Sequence, residues 1–553
     1  MRKKRILFCS EATFLNTGYA TYTREILSYL LSTNKYVIAE LAAYGSPDDP
    51  RAANIPWKYY GAALPKNASE QQQKAFAARN TNQFGEFFFE SVCLDFKPDI
   101  VCDIRDFWML DFVERSPYRP FFHWCIMPTV DAAPQARQWI ATYQTADACL
   151  TYSDWAGEVL EKQSGGKINY LGSSPPSAHP AYAPHENKDG LRESLGMKAD
   201  WKIVGTVMRN QRRKLYPDLF ESFRLLLDKV DNDQNYKLYC HTSYPDMGWD
   251  IPELLQQYNL SSRVLFTYVC GDTGKPFVCM FKGAIAQSPF TGKYNSPLSN
   301  VKKGLSYDDL ANIMNTFDIY IQHANCEGFG LPQVEAAACA VPVIGTDYSA
   351  MESVIRQLGG IPIKPKSLYK EMETGCMRAV PDNELTAEEL YKFFQKPKPI
   401  RRKLGFDTRK NFLEHFQWDK SGKKWEDYFD SVDIIPPEKS WLSKPRIEMP
   451  APKESVDVSK ISHQALAGFL IGNVLCMPEK INSFMMARLM RDLMYGCSTQ
   501  TTAGVYFNES CAAFENIAQR AMFNYDIAYN QMVSMRNNIN QWEQKRAEVM
   551  KIQ

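Results

Sequence analysis

Hydrophobic positions in the first third of the chain fall into short runs separated by amphipathic stretches. Residues 5–9 (Arg-Ile-Leu-Phe-Cys) form a compact, mostly apolar run, and an amphipathic segment follows at residues 22–31 after a loop that contains Gly18. This order of strand, loop and helix is typical of the beginning of a βαβ unit. Further strands are predicted at Tyr36–Ala42, Ile100–Cys102, Phe121–Ile126 and Ala148–Tyr152. Because helical patterns lie between most of these runs, we predict a parallel sheet with helices on both faces.

A second series of the same kind begins near Lys202. Strands are predicted at Ile203–Val207, Lys237–His241, Val264–Tyr268, Ile319–His323 and Val341–Gly345, and helices at Tyr216–Val230 and Gln333–Cys339. A loop rich in Pro, His and Ala at residues 173–188 separates the two series and is predicted to be the interdomain linker. The pattern therefore predicts two α/β domains, at residues 1–185 and 189–395.

The end of the chain has a different pattern. Five prolines between positions 433 and 455 predict a linker. Within residues 456–553, apolar residues recur at steps of three or four from Phe514 to Trp542, which predicts a long amphipathic helix with a narrow apolar face. That face either packs on the body of the protein or joins two copies in a homodimer, and the sequence leaves both open.

Composition and charge narrow the class of protein. The chain has 64 Lys and Arg against 63 Asp and Glu, so it lacks the overall basic charge of a protein held on nucleic acid by charge alone. The apolar run after the basic N-terminus is too short for a secretory signal, and no apolar stretch reaches the ~20 residues that a membrane span needs. The fourteen cysteines show no disulfide framework. We predict a cytoplasmic protein with free thiols and no membrane span.

The most specific motif runs from Glu327 to Glu335, with the sequence Glu-Gly-Phe-Gly-Leu-Pro-Gln-Val-Glu. It follows a predicted strand. Gly328 and Gly330 let the backbone approach a ligand closely, and Pro332 suits the first turn of a helix. Backbone amides at a helix N-terminus attract anions such as a diphosphate, and carboxylates accept hydrogen bonds from sugar hydroxyls. The alternative is a glycine-rich turn with two surface glutamates.

This segment resembles the E-x7-E motif of retaining glycosyltransferases of GT-B architecture (family 4-like), whose two Rossmann-like domains enclose a cleft. The resemblance implies that Glu327 contacts the donor sugar and that Glu335 holds the ribose of the nucleotide. It also implies that the backbone of Gly328, Phe329, Gly330 and Leu331 approaches the sugar and the phosphates. The resemblance extends over about residues 5–430.

Three other segments resemble parts of the same family. Residues 204–209 (Val-Gly-Thr-Val-Met-Arg), with Lys214 five positions after Arg209, are similar to the strand and loop whose Arg and Lys cradle the donor diphosphate. Residues 16–19 resemble the loop that lies over the donor phosphates, which implies a role for Gly18. In residues 123–131 the family often places a His or Asp facing the reacting sugar. Asp131 is the candidate here, because His123 lies inside a predicted strand.

Residues 416–419 and 425–429 resemble the family's closing helix, which implies that residues 396–432 return to the N-terminal domain. The chain departs from the family in two places. An insertion of roughly 30 residues lies within 269–305, and Ser349 and Ala350 stand where the family usually has a glycine pair. The insertion contains Cys270 and Cys279, which are too few ligands for a zinc site, so no metal is predicted.

The resemblance implies an enzyme that transfers a sugar with retention, without a tightly bound cofactor, from a nucleotide-sugar donor, most simply a UDP-sugar. The chain is similar to enzymes encoded by tailed bacteriophages, which favours a hydroxymethylated base in phage DNA as the acceptor and the host cytoplasm as the location. Double-stranded DNA would need a basic rim, and the candidates are residues 396–403, 302–303 and 212–213. A glycan, lipid or small-molecule acceptor and a non-catalytic nucleotide-sugar-binding protein remain as alternatives. Glu327→Ala is predicted to abolish transfer with little change in melting temperature.

Overall fold

The computed structural model describes residues 2–300 and 304–443. The predicted helical extension at 456–553, its possible dimer face and the end of the proline-rich linker at 433–455 lie outside the described residues, as do Lys302 and Lys303.

The first domain is built on a seven-stranded parallel sheet with the order β3-β2-β1-β4-β5-β6-β7. Its strands are β1 (Arg5–Glu11), β2 (Val37–Ala43), β3 (Lys58–Gly61), β4 (Ile100–Arg105), β5 (His123–Pro128), β6 (Ala148–Thr151) and β7 (Tyr170–Ser173). Its helices are α1 (Gly18–Thr33), α2 (Glu70–Ala77), α3 (Glu86–Phe96), α4 (Phe107–Leu110), α5 (Arg137–Tyr143) and α6 (Asp154–Ser164).

Burial explains which strands the hydrophobic pattern predicts. In β1, Ile6 and Phe8 pack into a core on one face of the sheet, and Leu7 and Cys9 pack into a core on the other. Helices therefore cover both faces, as expected for a parallel sheet. The pattern does not predict the two edge strands, β3 and β7, because each is four residues long and no residue in either is fully buried.

The second domain has a second seven-stranded sheet with the order β11-β10-β9-β8-β14-β15-β16. Its strands are β8 (Lys202–Val207), β9 (Tyr236–His241), β10 (Val264–Val269), β11 (Pro276–Met280), β14 (Ile319–Gln322), β15 (Val343–Thr346) and β16 (Ile361–Ile363). Its helices are α7 (Lys188–Ser194), α8 (Tyr216–Lys229), α9 (Ile251–Gln257), α10 (Tyr307–Asn315), α11 (Leu331–Ala338), α12 (Ala350–Gln357) and α13 (Asn383–Gln395). The two sheets confirm the predicted α/β class with two Rossmann-like domains.

The insertion at 269–305 extends the edge of the second sheet. Strand β11 pairs antiparallel with β10, and a second hairpin follows from β12 (Ile285–Gln287) and β13 (Tyr294–Pro297). Cys270 is buried there, where its thiol lies 3.1 Å from the Ser288 hydroxyl. Among the residues that the structure describes, no group of three or more His, Cys, Asp or Glu side chains is placed to hold a metal ion.

The last two described α-helices, α14 (Lys398–His415) and α15 (Trp418–Ser431), lead back to the first domain. Trp425 of α15 is fully buried, and its indole N–H donates a 2.9 Å hydrogen bond to the Tyr22 hydroxyl of α1. Its ring centroid lies 5.6 Å from that of Phe8 in β1. Helix α15 is therefore anchored in the core of the first domain.

The two domains meet at the carboxyl ends of their parallel strands, where open α/β sheets place their ligands. Across this cleft His179 stacks on Tyr307 with 4.1 Å between ring centroids, and the Gln357 amide donates a 2.7 Å hydrogen bond to Asp154. No described helix has the combination of length and apolar character required to cross a bilayer.

Candidate functional site

The loop from β14 to α11 carries most of the predicted donor-binding residues. Gly330 caps α11 with a φ of +85°, a left-handed conformation that favours glycine, and Pro332 lies in the first turn. In the described part of the chain, the backbone amides of residues 328–331 donate no hydrogen bond. These amides at the start of a helix are therefore free for an anionic ligand.

Glu327, directly before this loop, lies in a buried cluster of polar groups. One carboxylate oxygen, Oε1, contacts the Lys214 ammonium and accepts a 2.9 Å hydrogen bond from the Gln322 amide. The other, Oε2, accepts a 2.6 Å hydrogen bond from Arg213. The Glu327 backbone is held by the Ser349 hydroxyl, which accepts from its N–H at 2.9 Å. Two residues predicted for the site, Glu327 and Lys214, are thus brought together.

Arg209, predicted to share the donor diphosphate with Lys214, pairs with a carboxylate outside the Glu327 cluster. Its guanidinium donates to both carboxylate oxygens of Asp246, at 2.8 and 3.0 Å. Burial raises the pKa of Asp246, but hydrogen bonds from Arg209, Ser243 and the Met247 amide outweigh it and lower the pKa to about 2. Arg209 and Lys214 therefore share no partner among the described residues, and the second cation at Glu327 is Arg213.

Glu335 lies within α11 and points to the interdomain linker. Burial raises the pKa of its carboxyl to about 7, and a hydrogen bond with the Tyr182 hydroxyl partly offsets that rise. Glu327 and Glu335 have no common hydrogen-bond partner in the described chain.

Phe329 is buried, and its ring centroid lies 5.9 Å from that of Phe416 at the end of α14. Leu331 is the first residue of α11. Beside Phe329 a cavity of about 210 Å³ opens between the two domains. The other residues that line it are Tyr152, Ser153, Asp154, Ser173, Pro175, Gln357 and His415. The interface thus keeps unfilled space next to the predicted donor loop.

The first domain contributes polar groups from the ends of its strands. Gly18 begins α1, and a Cβ atom placed on it would meet nothing within 4 Å. The next residue, Tyr19, donates a 2.8 Å hydrogen bond to Asp106 and also contacts the Thr129 hydroxyl. Burial raises the pKa of Asp106 to about 6, and the carboxylate of Asp131 adds to the rise. The sequence-based prediction names Gly18 from the segment at residues 16–19 but does not name Tyr19 or Asp106 as site residues.

Asp131 reaches across to the second domain. It accepts a 3.0 Å hydrogen bond from Arg378 and a 3.3 Å hydrogen bond from the Cys326 thiol, next to Glu327. Arg378 belongs to a hairpin of β17 (Ser367–Lys370) and β18 (Met377–Val380), where it also pairs with Glu371 at 2.7 Å. His123 begins β5, away from the cleft, with a ring nitrogen 2.8 Å from the Asp433 carbonyl. The structure thus brings Asp131, and not His123, close to the Glu327 cluster.

The two domains touch at Gly328. A Cβ atom on Gly328 would lie 2.5 Å from the Thr129 methyl group of the first domain. We expect Gly328→Ala to hold the cleft open and to lower kcat/KM for a reaction between the two domains by about tenfold to hundredfold, because a small displacement of reacting groups is costly. Steady-state kinetics together with a melting curve would measure this effect.

Thr129→Ser provides the matched control. It removes the methyl group that would clash and keeps the hydroxyl that contacts Tyr19. We expect the double variant Gly328→Ala with Thr129→Ser to recover most of the activity. A double variant as slow as Gly328→Ala alone would show that the contact does not limit closure.

Comparison with known proteins shows which family and which folds the chain is similar to. Residues 298–392 match the family model described as glycosyl transferases group 1. The N-acetyl-alpha-D-glucosaminyl L-malate synthase of Bacillus anthracis is 28% identical over 241 residues, which is 43% of this chain. The chain spans about half (48%) of the length of that curated relative.

Solved structures show the same two-domain fold. Sucrose-phosphate synthase from Thermosynechococcus elongatus superimposes with a TM-score of 0.54 at 16% identity, covering 78% of this chain and 98% of that one. Anabaena HepE in complex with UDP and glucose superimposes with a TM-score of 0.53 at 12% identity, covering 78% and 100%. The chain therefore has the GT-B fold, and its residues 298–392 are similar to the glycosyl transferases group 1 family. Together these findings support a glycosyltransferase.

Proposed function

We propose that this chain is a retaining glycosyltransferase that takes its sugar from a nucleotide-sugar, most simply a UDP-sugar, bound between the two domains. One observation carries the proposal. Glu327 lies at the interface between the domains with two cations, Lys214 and Arg213, beside amides at the start of α11 that donate no hydrogen bond within the described part of the chain. A sugar diphosphate requires a carboxylate that accepts hydrogen bonds from the sugar hydroxyls, and cations and free amides that bind the phosphates.

The diphosphate would rest on the amides of residues 328–331 and on the nearby cations. Such fixed positive groups stabilise the charge that grows on the departing nucleoside diphosphate. The Glu327 carboxylate would accept hydrogen bonds from the donor sugar, and Glu335 from the ribose. The structural neighbour with UDP and glucose in its complex supports a uridine donor.

Transfer with retention needs no covalent nucleophile from the protein. The acceptor oxygen forms a bond with the anomeric carbon as the bond from that carbon to the diphosphate oxygen breaks, on the same face of the sugar. The diphosphate accepts the proton of the acceptor hydroxyl. Asp131 would orient the reacting sugar from the first domain, and closure of the cleft would exclude water.

The acceptor has two candidates. The resemblance to phage-encoded enzymes that the sequence suggests favours a hydroxymethylated base in DNA. The charges of the predicted basic rim, however, are partly neutralised: Lys398 pairs with Asp189 at 3.0 Å and Lys403 with Asp407 at 2.8 Å. This pairing supports a small hydroxylated molecule or a glycan as the second candidate. The similarity to the N-acetyl-alpha-D-glucosaminyl L-malate synthase of Bacillus anthracis supports the same candidate, because malate is a small hydroxylated acid.

One experiment tests donor and acceptor together. The protein is incubated with a panel of UDP-, GDP- and ADP-sugars, each with hydroxymethylated duplex DNA, with a glycan, with L-malate or without acceptor. We expect release of the nucleoside diphosphate and a product one sugar heavier, whose anomeric configuration by NMR equals that of the donor. Inverted product would exclude retention. Binding of a donor without transfer to any acceptor would favour the non-catalytic alternative.

A further inference from the structure

We infer that Arg213 is a ligand of the donor diphosphate, and that the Glu327 carboxylate takes the place of that diphosphate on Arg213 and Lys214 when no donor is bound. This inference rests on the proposed function, and it assigns a residue that the family motif does not contain.

The position of Arg213 is fixed by its backbone. Its carbonyl accepts a 3.0 Å hydrogen bond from the Asn325 N–H, and the Asn325 carbonyl accepts one of 3.0 Å from Ala379. The loop after β8 is therefore joined to the loop that precedes Glu327. The Arg213 side chain is 41% exposed although its guanidinium contacts a carboxylate that is almost fully buried. Arg213 thus contacts the Glu327 cluster and keeps part of its side chain accessible to a ligand.

Arg209 is less suited to that role in this arrangement. Both of its hydrogen bonds go to Asp246, which also accepts from Ser243 and from the Met247 amide. This network joins the loop after β8 to the loop after β9. Asp246 also keeps its negative charge at any moderate pH, since its pKa is about 2. Arg209 therefore has a resident anionic partner outside the Glu327 cluster.

The Glu327 carboxylate resembles a bound diphosphate in its contacts. It is an anion that accepts from Arg213 and touches Lys214, and among the residues that the structure describes neither side chain has another carboxylate partner. A diphosphate carries more charge and more acceptor oxygens, so it can displace the carboxylate from both cations. The displaced carboxylate keeps the Gln322 amide as a partner and becomes free to accept from sugar hydroxyls.

Titration calorimetry of the full chain with UDP alone tests whether a diphosphate replaces the Glu327 carboxylate on the two cations. ADP and GDP are measured in parallel. We expect Arg213→Ala to weaken binding of the preferred diphosphate by about tenfold to hundredfold, the cost of a lost charge-assisted hydrogen bond. Arg212→Ala is the matched control, because Arg212 is the adjacent exposed arginine, and it should change the affinity by less than about threefold. Glu327→Gln removes the competing charge and should tighten binding by about threefold or more.

The outcomes separate this inference from the proposed function. If the wild-type protein binds no nucleoside diphosphate, both fail. If it binds one and Arg213→Ala binds equally well, or if Arg212→Ala weakens binding as much as Arg213→Ala, only the role of Arg213 is overturned. If Glu327→Gln binds more weakly than the wild-type protein, the exchange is wrong. Arg213→Gln, which keeps a donor of similar length, provides a second test in case the alanine variant folds poorly.

Discussion

Replacing Glu327 by glutamine should lower kcat/KM for sugar transfer by about a thousandfold, the loss typical of removing one group that stabilises a transition state. The carboxylate is in contact with two cations and is placed to accept from the donor sugar. An amide of the same shape carries no charge and offers one acceptor oxygen in place of two. Transfer kinetics on the preferred donor would measure the loss.

The melting temperature of Glu327→Ala must be measured beside its activity, because the structure predicts that this variant is less stable than the wild-type protein. The sequence alone predicts little effect of Glu327→Ala on melting temperature. Glu327 is only 5% exposed, however, and contacts the equally buried Lys214. Removing one partner of a buried ion pair costs about 3 kcal/mol, so Glu327→Ala should also lower the melting temperature.

Glu327→Gln keeps the volume of the side chain and is therefore the better test of function. Glu352→Gln is a suitable control, since Glu352 lies on α12 and is 40% exposed. The control should retain full activity. A Glu327→Gln variant that folds normally and transfers sugar at the wild-type rate would contradict the proposed role of Glu327.

The sequence predicts the central strands because the residues that they bury are consecutive in the chain. Residues 6–9 are fully buried on both faces of the sheet, and a short, continuous apolar run of this kind is typical of a strand inside a parallel sheet. The edge strands β3 and β7 carry partly exposed side chains, so their sequences resemble loops. The hairpin of β17 and β18 has no such signal either, because its first strand is exposed throughout.

The candidate site likewise contains some residues that the sequence could predict and others that it could not. Glu327 and Lys214 belong to short motifs with fixed spacing, so a resemblance could identify both, and the structure places them in contact. The pairing of Asp131 with Arg378 joins residues 247 positions apart. No local pattern marks Arg378, since its role depends on how the two domains approach each other. In the sequence, Arg213 is visible only as part of a basic loop.

Glu335→Gln should increase the stability of the protein at alkaline pH and weaken donor binding at the same time. Burial raises the pKa of the Glu335 carboxyl from 4.5 to about 7. The folded state therefore holds this proton more tightly than the unfolded state, and the wild-type protein loses stability as the pH rises from 4.5 through 7. Above that range a neutral amide avoids a cost of up to roughly 3 kcal/mol. Below pH 4.5 the two proteins should be equally stable.

The same substitution removes the carboxylate that we propose holds the ribose, so the affinity for the nucleotide-sugar should fall by about tenfold. Glu90→Gln separates the two effects, because burial also raises the pKa of Glu90 to about 7, and Glu90 lies on α3 of the first domain. Melting curves at pH 5 and pH 8.5 should show the alkaline gain in both variants, and calorimetry should show weaker donor binding in Glu335→Gln only. Equal donor affinity in both variants would remove Glu335 from the site and leave it as a buried acid within α11.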